Sequence, residues 1–252
     1  MTETGGRGPL LIACALGIER LALRRFGDVR HGAYGPYGTY DAGEAGGPVT
    51  VLRTGMGPQA ADRAVSRALR DEREPGGTAV VATGFCAGLL PGMHPGDLVV
   101  ADETRDAEGR TECTGTEVLA GALRAYGTVH VGPLAGSERI VHGLARAALH
   151  STTAAVAADM ESAATLRAAR RPVGGGPARG GDGGRREDGY GGSAEGPEAR
   201  RAVAAVRVVV DAPGHELIRP GTLRGGISAF RVLRGVVPAF LEWHRSLLLP
   251  WR

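Results

Sequence analysis

"PVTVLRTGMGPQAADRAVSRALR", residues 48–70, begins as a short apolar run, breaks at two glycines, and resumes with Ala61, Ala64, Val65 and Leu69 at helical spacing. The pattern predicts a strand, a glycine turn and a helix. Outward from it the same alternation recurs. "PLLIACAL" (9–16) reads as a buried strand bounded by Pro9 and Gly17, with a helix starting near Ile18. Residues 78–102 predict two strands, around 78–82 and 97–101, joined by a glycine-rich loop. Residues 127–134 predict a strand and 139–150 a helix. Residues 151–171 predict a short strand and a helix, with Asp159 as its N-cap and Glu161 in its first turn. A further strand covers 201–211, and the part from 225 onward is helix-like with a break at Pro238. Such alternation indicates an α/β fold, with a central mixed, largely parallel sheet flanked by helices. One domain over 9–252 is expected. Residues 174–200, rich in glycine and charge with no apolar period, are expected to be a disordered insertion within it.

The 252 residues are 42% hydrophobic but only 4% aromatic, so the core must be built from Ala, Val and Leu. Net charge is +3 and every basic side chain is arginine; the chain has no lysine. That excludes a Walker-type phosphate loop and Schiff-base chemistry. The basic residues are spread along the chain, so no nucleic-acid partner is expected. Cys14, Cys86 and Cys113 have no metal-ligand spacing and suit a reducing compartment. No stretch approaches ~20 apolar residues, and the N-terminal residues lack a signal-peptide order. The expectation is a soluble, cytoplasmic protein without a metal or organic cofactor.

Four features fall at the ends of predicted strands, where open α/β sheets hold ligands. They are Glu19, the segment 83–88, the pair Met160–Glu161, and Asp211 closing "RVVVD". Glu161 is the least expected of these, because it lies in the alanine-rich run "AADMESAA" (157–164), where an unpaired carboxylate is costly to bury. It either meets a ligand or interacts with its own helix dipole. The glycine loop "TGMGP" (54–58) suits either anion binding or a tight turn.

"TGFCAGLLPGMHPGDLVVADE" resembles the "TG-x-A-G-G-L-x-P" segment of the purine nucleoside phosphorylase and nucleosidase superfamily. "VAADMESAA", "AAVRVVVD" and "ALGIERLAL" resemble three further segments of the same proteins, in the same order, so that the resemblance covers 9–171 and 201–211. It implies a three-layer nucleoside phosphorylase-like sandwich and cleavage of an N-glycosidic bond through an oxocarbenium-like transition state. By the same resemblance Asp211 is the acid at purine N7, and Glu19 the carboxylate that positions water. Glu161 grips the ribose diol with Met160 packed on the sugar, and Phe85, Cys86, Ala87 and Ile140 line the nucleoside. "ARAALHSTTAAVAADMES" and "RPGTLRGG" resemble the hopanoid-associated branch, which implies release of adenine from adenosylhopane. Family relatives also imply a homo-oligomer.

Where phosphorylases of the family place a phosphate-binding arginine and serine, this chain has Ala82 and Phe85. Phosphate would lose its charge-assisted contacts there and meet Glu19, which favours water as the nucleophile. Arg53 is a substitute anion ligand if inorganic phosphate is the co-substrate instead. The other readings are a soluble methylthioadenosine/adenosylhomocysteine nucleosidase and a non-catalytic nucleoside-binding protein. In the tail, Phe230, Leu233, Val237, Phe240 and Leu241 form either a peripheral membrane face for a lipid-linked nucleoside or the buried side of a packed helix.

Overall fold

The computed structural model describes residues 8–23, 37–40, 47–72, 76–172, 201–214 and 222–247. The stretch 174–200 lies outside the described residues. In chain order the elements are β1 (Leu10–Cys14), α1 (Gly17–Leu23), β2 (Tyr37–Tyr40), β3 (Val49–Arg53), α2 (Pro58–Ala68), β4 (Ala79–Gly88), β5 (Leu98–Asp106) and β6 (Gly109–Glu112). Then come α3 (Thr116–Leu123), β7 (Val129–Gly136), α4 (Leu144–Thr153), β8 (Ala157–Asp159), α5 (Ser162–Arg170), β9 (Val203–Asp211), α6 (Thr222–Gly235) and α7 (Val237–Ser246).

Strands β1, β4 and β9 are buried on both faces, as central strands rich in Ala, Val and Leu must be. Because side chains alternate along a strand, each contributes to two cores. Leu10, Ile12 and Cys14 face one layer, with Leu23 of α1, Leu119 and Leu123 of α3, Leu233 of α6 and Phe240 and Trp243 of α7. Leu11 and Ala13 face the other, with Val65 of α2 and Leu166 and Ala169 of α5. The result is the expected three-layer α/β sandwich. Burying one such Val or Leu contributes roughly 1.5–3 kcal/mol.

Among the described residues the sheet has nine strands, in the order β2-β3-β1-β4-β8-β7-β5-β6, with β9 bridging β4 and β5. The pairings β1–β3, β1–β4, β4–β9, β5–β7 and β7–β8 are parallel. The pairings β2–β3, β4–β8, β5–β6 and β5–β9 are antiparallel. Strands β4, β8, β7, β5 and β9 therefore close into a ring. This corrects the sequence reading of 83–88 as a loop. The segment continues β4, because β9 pairs with it as far as Ala87 and β8 joins it at Ala87 and Gly88. The glycines permit the close packing: a Cβ on Gly88 would lie 3.1 Å from the Met93 sulfur.

The tail is two helices broken at Val236, with Pro238 in the first turn of α7 where its missing N–H is harmless. Leu233, Val237 and Phe240 are buried, and Phe230 and Leu241 pack against the same core. Trp243 is fully buried and donates its indole N–H to the Thr114 carbonyl at 2.7 Å. The apolar stripe is thus the inner side of packed helices, not a membrane face. Among the described residues no helix is long and apolar enough to cross a membrane.

Candidate active site

Strand β1 pairs with β4 only as far as Ala82, and β8 begins at Ala87. Between them the edge of β4 is uncovered, and two of the predicted carboxylates, Glu19 and Glu161, lie about this gap. Glu19, in the first turn of α1, is 2% exposed. Its Oε1 accepts the Phe85 N–H at 2.8 Å, taking the place of a ladder bond that β1 does not supply. Its Oε2 accepts the N–H groups of Ala15 and Leu16 at 2.9 and 2.8 Å. Three backbone donors thereby fix the carboxylate against the end of β1.

Glu161 lies at the N-cap of α5 but makes no side-chain cap bond. Its Oε1 instead accepts the Gly57 N–H at 2.8 Å, across 104 positions of sequence. The glycine loop is therefore an anion-binding turn, and the anion is the protein's own. Asp159 performs the capping: it ends β8, accepts the Ser162 N–H at 3.2 Å and receives the Ser162 hydroxyl at 2.6 Å. This corrects the expected start of the helix, which begins after Glu161 rather than after Asp159.

A residue absent from the sequence prediction, Arg207 of β9, links these groups. It is 1% exposed and pairs with Asp159 Oδ2 at 2.5 Å. It also donates to the Ser162 hydroxyl at 2.9 Å and to the Thr83 carbonyl at 3.0 Å. Burial opposes its charge, but Asp159, Glu161 and Glu19 outweigh that and raise its pKa. Burial pushes the Glu161 carboxyl up; Arg207 pulls against this rise and Asp159 adds to it. Three carboxylates thus surround one guanidinium. The available signal was a lone arginine inside the apolar strand "AVRVVVD", but sequence could not reveal its partners.

Asp211 closes β9 at the register position of Ala87, which also faces Ala158 of β8. The ends of β4, β8 and β9 therefore bring Asp211 to the same end of the sheet as Met160 and Glu161. Asp211 is 3% exposed and ion-paired to Arg146, likewise buried, from α4. Arg146 was not anticipated either.

The remaining predicted residues divide. Met160, Phe85 and Ala87 are half-buried at this end. The Cys86 side chain is buried in the α2/α5 core, and burial pushes its thiol pKa up. Ile140 is 75% exposed in the segment before α4, which begins at Leu144 rather than at 139. Arg53 is exposed at the end of β3. A separate cleft of about 640 Å³, lined by Asp102, Glu103, Glu112, Cys113 and Glu117 among others, contains none of these residues. No group of three or more His, Cys, Asp or Glu side chains among the described residues is arranged to hold a metal ion.

A family model described as the phosphorylase superfamily matches residues 9–172. No curated protein matches. Among solved structures, the 5′-methylthioadenosine/S-adenosylhomocysteine nucleosidase of Neisseria meningitidis, in complex with methylthio-immucillin-A, superposes with a TM-score of 0.66 at 18% identity, covering 96% of this chain and 100% of that one. S-adenosylhomocysteine nucleosidase from Streptococcus pyogenes, in complex with 5-methylthiotubericidin, gives 0.68 at 15% identity over 99% and 100%. A futalosine hydrolase mutant of Helicobacter pylori gives 0.68 at 13% over 93% and 99%. At these identities the likeness establishes the fold, while the family model covers the segments that supply Glu19, the β4 end and Glu161. The chain belongs to the phosphorylase superfamily and is an enzyme of its nucleosidase or nucleoside phosphorylase type.

Proposed function

We propose that the chain hydrolyses the N-glycosidic bond of an adenosine-type nucleoside, and that the natural substrate is adenosylhopane, from which it releases adenine. The observation that carries the choice of water is the charge balance of the gap beside β4. Glu19, Asp159 and Glu161 are all buried there around the guanidinium of Arg207. A phosphate dianion entering that cluster would meet uncompensated carboxylates, whereas a water molecule would meet acceptors.

The roles follow from what each group has left to offer. Glu161 uses one oxygen on Gly57, and a carboxylate retains further lone pairs that the two ribose hydroxyls satisfy. Glu19, pinned by three amides, presents a fixed acceptor to the attacking water and takes its proton as C1′ is attacked. Asp211 delivers a proton to purine N7 as the C1′–N9 electrons pass to the base. The structurally similar nucleosidases are named for methylthioadenosine and adenosylhomocysteine, which agrees with an adenine leaving group.

The apolar 5′ substituent is supported by the surface around the site. Of the large hydrophobic residues that stand exposed, Ile18 and Leu21 flank Glu19 on α1. Met56 adjoins Gly57, and Ile140 and Leu144 precede Arg146. These residues neighbour site residues along the chain, and an apolar 5′ substituent would meet apolar side chains there. The chain would act as a homo-oligomer.

The test is adenine release from adenosylhopane and from methylthioadenosine, each with and without phosphate. Release from the lipid nucleoside independent of phosphate is expected. A strict phosphate requirement would overturn the assignment of water, and release only from methylthioadenosine would overturn the lipid substrate. No release together with thermal stabilisation by adenine would leave a nucleoside-binding protein.

A further inference from the structure

Helix α4 rests on the body of the protein with a single buried residue, and that residue is charged: Arg146, 2% exposed. Its neighbours Leu144, Ala145, Ala147 and Ala148 are exposed. Burying a guanidinium carries a desolvation cost that a leucine at the same position would avoid. Anchoring α4 therefore does not explain the choice. The guanidinium Nη2 lies on Oδ2 of Asp211, itself 3% exposed.

We infer that Arg146 is a positioning residue for the proton donor: by occupying Oδ2 of Asp211 it confines the transferable proton to Oδ1 and fixes the plane of the carboxyl group towards the leaving base. The inference rests on the nucleosidase reading above. A carboxylic acid free to carry its proton on either oxygen, and free to rotate, presents it correctly only part of the time. A guanidinium donates from every nitrogen and accepts from none, so a proton on the oxygen that it contacts is excluded. In the step itself the C1′–N9 bond breaks with its electron pair moving to the purine, and the Oδ1 proton passes to N7. Water oxygen bonds to C1′ and its proton passes to Glu19. Solvent exchange then returns a proton to Asp211 and removes one from Glu19.

The experiment is a double-mutant cycle on the full chain, with Arg146→Met, Asp211→Asn and the pair, assayed on a purine nucleoside that the wild type cleaves. Arg146→Met should lower kcat about 100-fold, within the range of lost general-acid catalysis, with KM changed less than about threefold. In the Asp211→Asn background the same change should cost less than about twofold, because the residue through which Arg146 acts is gone. Arg146→Lys, which keeps a cation on Oδ2, should recover most of the loss and guards against a fold defect in the methionine variant. A 4-nitrophenyl riboside, whose leaving group departs without a proton, should be slowed only about twofold to threefold by Arg146→Met. Equal losses on both substrates, an additive cycle, or a lysine variant as impaired as the methionine one would overturn the inference and leave a structural anchor. A wild type that cleaves neither substrate would instead remove the nucleosidase reading, and the inference with it.

Discussion

Gly84 offers the sharpest test of how the site is held. Its φ is +140°, and a Cβ built there would lie 2.4 Å from Glu19 Oε1 and 2.6 Å from Arg207 Nη1. Gly84→Ala therefore falls about 1 Å short of ordinary contact with two groups that cannot retreat cheaply. Glu19 is tied to three amides, and Arg207 to Asp159, Ser162 and Thr83. Losing one charge-assisted bond, such as that from the Phe85 N–H, costs about 1.5–3 kcal/mol. An alanine at this φ adds roughly 1–3 kcal/mol of backbone strain. The variant should be destabilised by about 4 kcal/mol, and for a chain of this size its Tm should fall by roughly 8–16 °C. Displacing Glu19 by about 1 Å should also lower kcat/KM on the order of 100-fold. Thermal unfolding followed by circular dichroism, with kcat/KM on a nucleoside that the wild type cleaves, reads both. Glu19→Ala removes one of the two clashes, so the same glycine substitution should cost about 1–2 kcal/mol less in that background. A Gly84→Ala protein melting within 2 °C of wild type with nearly full activity would refute the packing described here, on the order of the smallest shift that 1 kcal/mol produces.

Glu161→Gln should abolish activity yet raise Tm at neutral pH, since glutamine keeps the Gly57 acceptor and removes a carboxylate whose ionisation burial opposes. With the folded pKa raised, the wild type loses stability as pH climbs through the ordinary carboxyl range, and the loss levels off above the folded value; the glutamine advantage should follow that profile and vanish in acid. Arg207→Met should cost about 3–5 kcal/mol by stranding buried carboxylates, with part recovered on adding Asp159→Asn, measured by denaturant unfolding. Trp243→Phe removes the donor to the Thr114 carbonyl and should lower stability by about 1 kcal/mol with kcat/KM unchanged.

The glycine-punctuated unit at 48–70 was legible because strand, turn and helix there are set by local periodicity, and the same holds for β1, β7, β9 and α5. Where the reading went astray, the cause was non-local. Residues 83–88 look like a loop because of their glycines, but β9 and β8 supply the pairing that makes them strand. The polar strand β6 (Gly109–Glu112) carries no apolar alternation and exists because β5 offers an antiparallel edge. The apolar tail fits a membrane or a core equally well as a sequence, and only the surface beneath α6 and α7 decided between them.

The site divides along the same line. Sequence alone set which chemical groups stand at strand ends: Glu19, Met160, Glu161 and Asp211, with glycines beside them and no lysine to compete. Those are properties of composition and spacing. Tertiary structure decided the partners: Gly57 for Glu161, Phe85 for Glu19, Arg207 for Asp159 and Arg146 for Asp211. A hydrogen bond or ion pair across many tens of residues depends on the path of the sheet between them, and here that path is a ring of five strands that brings the ends of β4, β8 and β9 together.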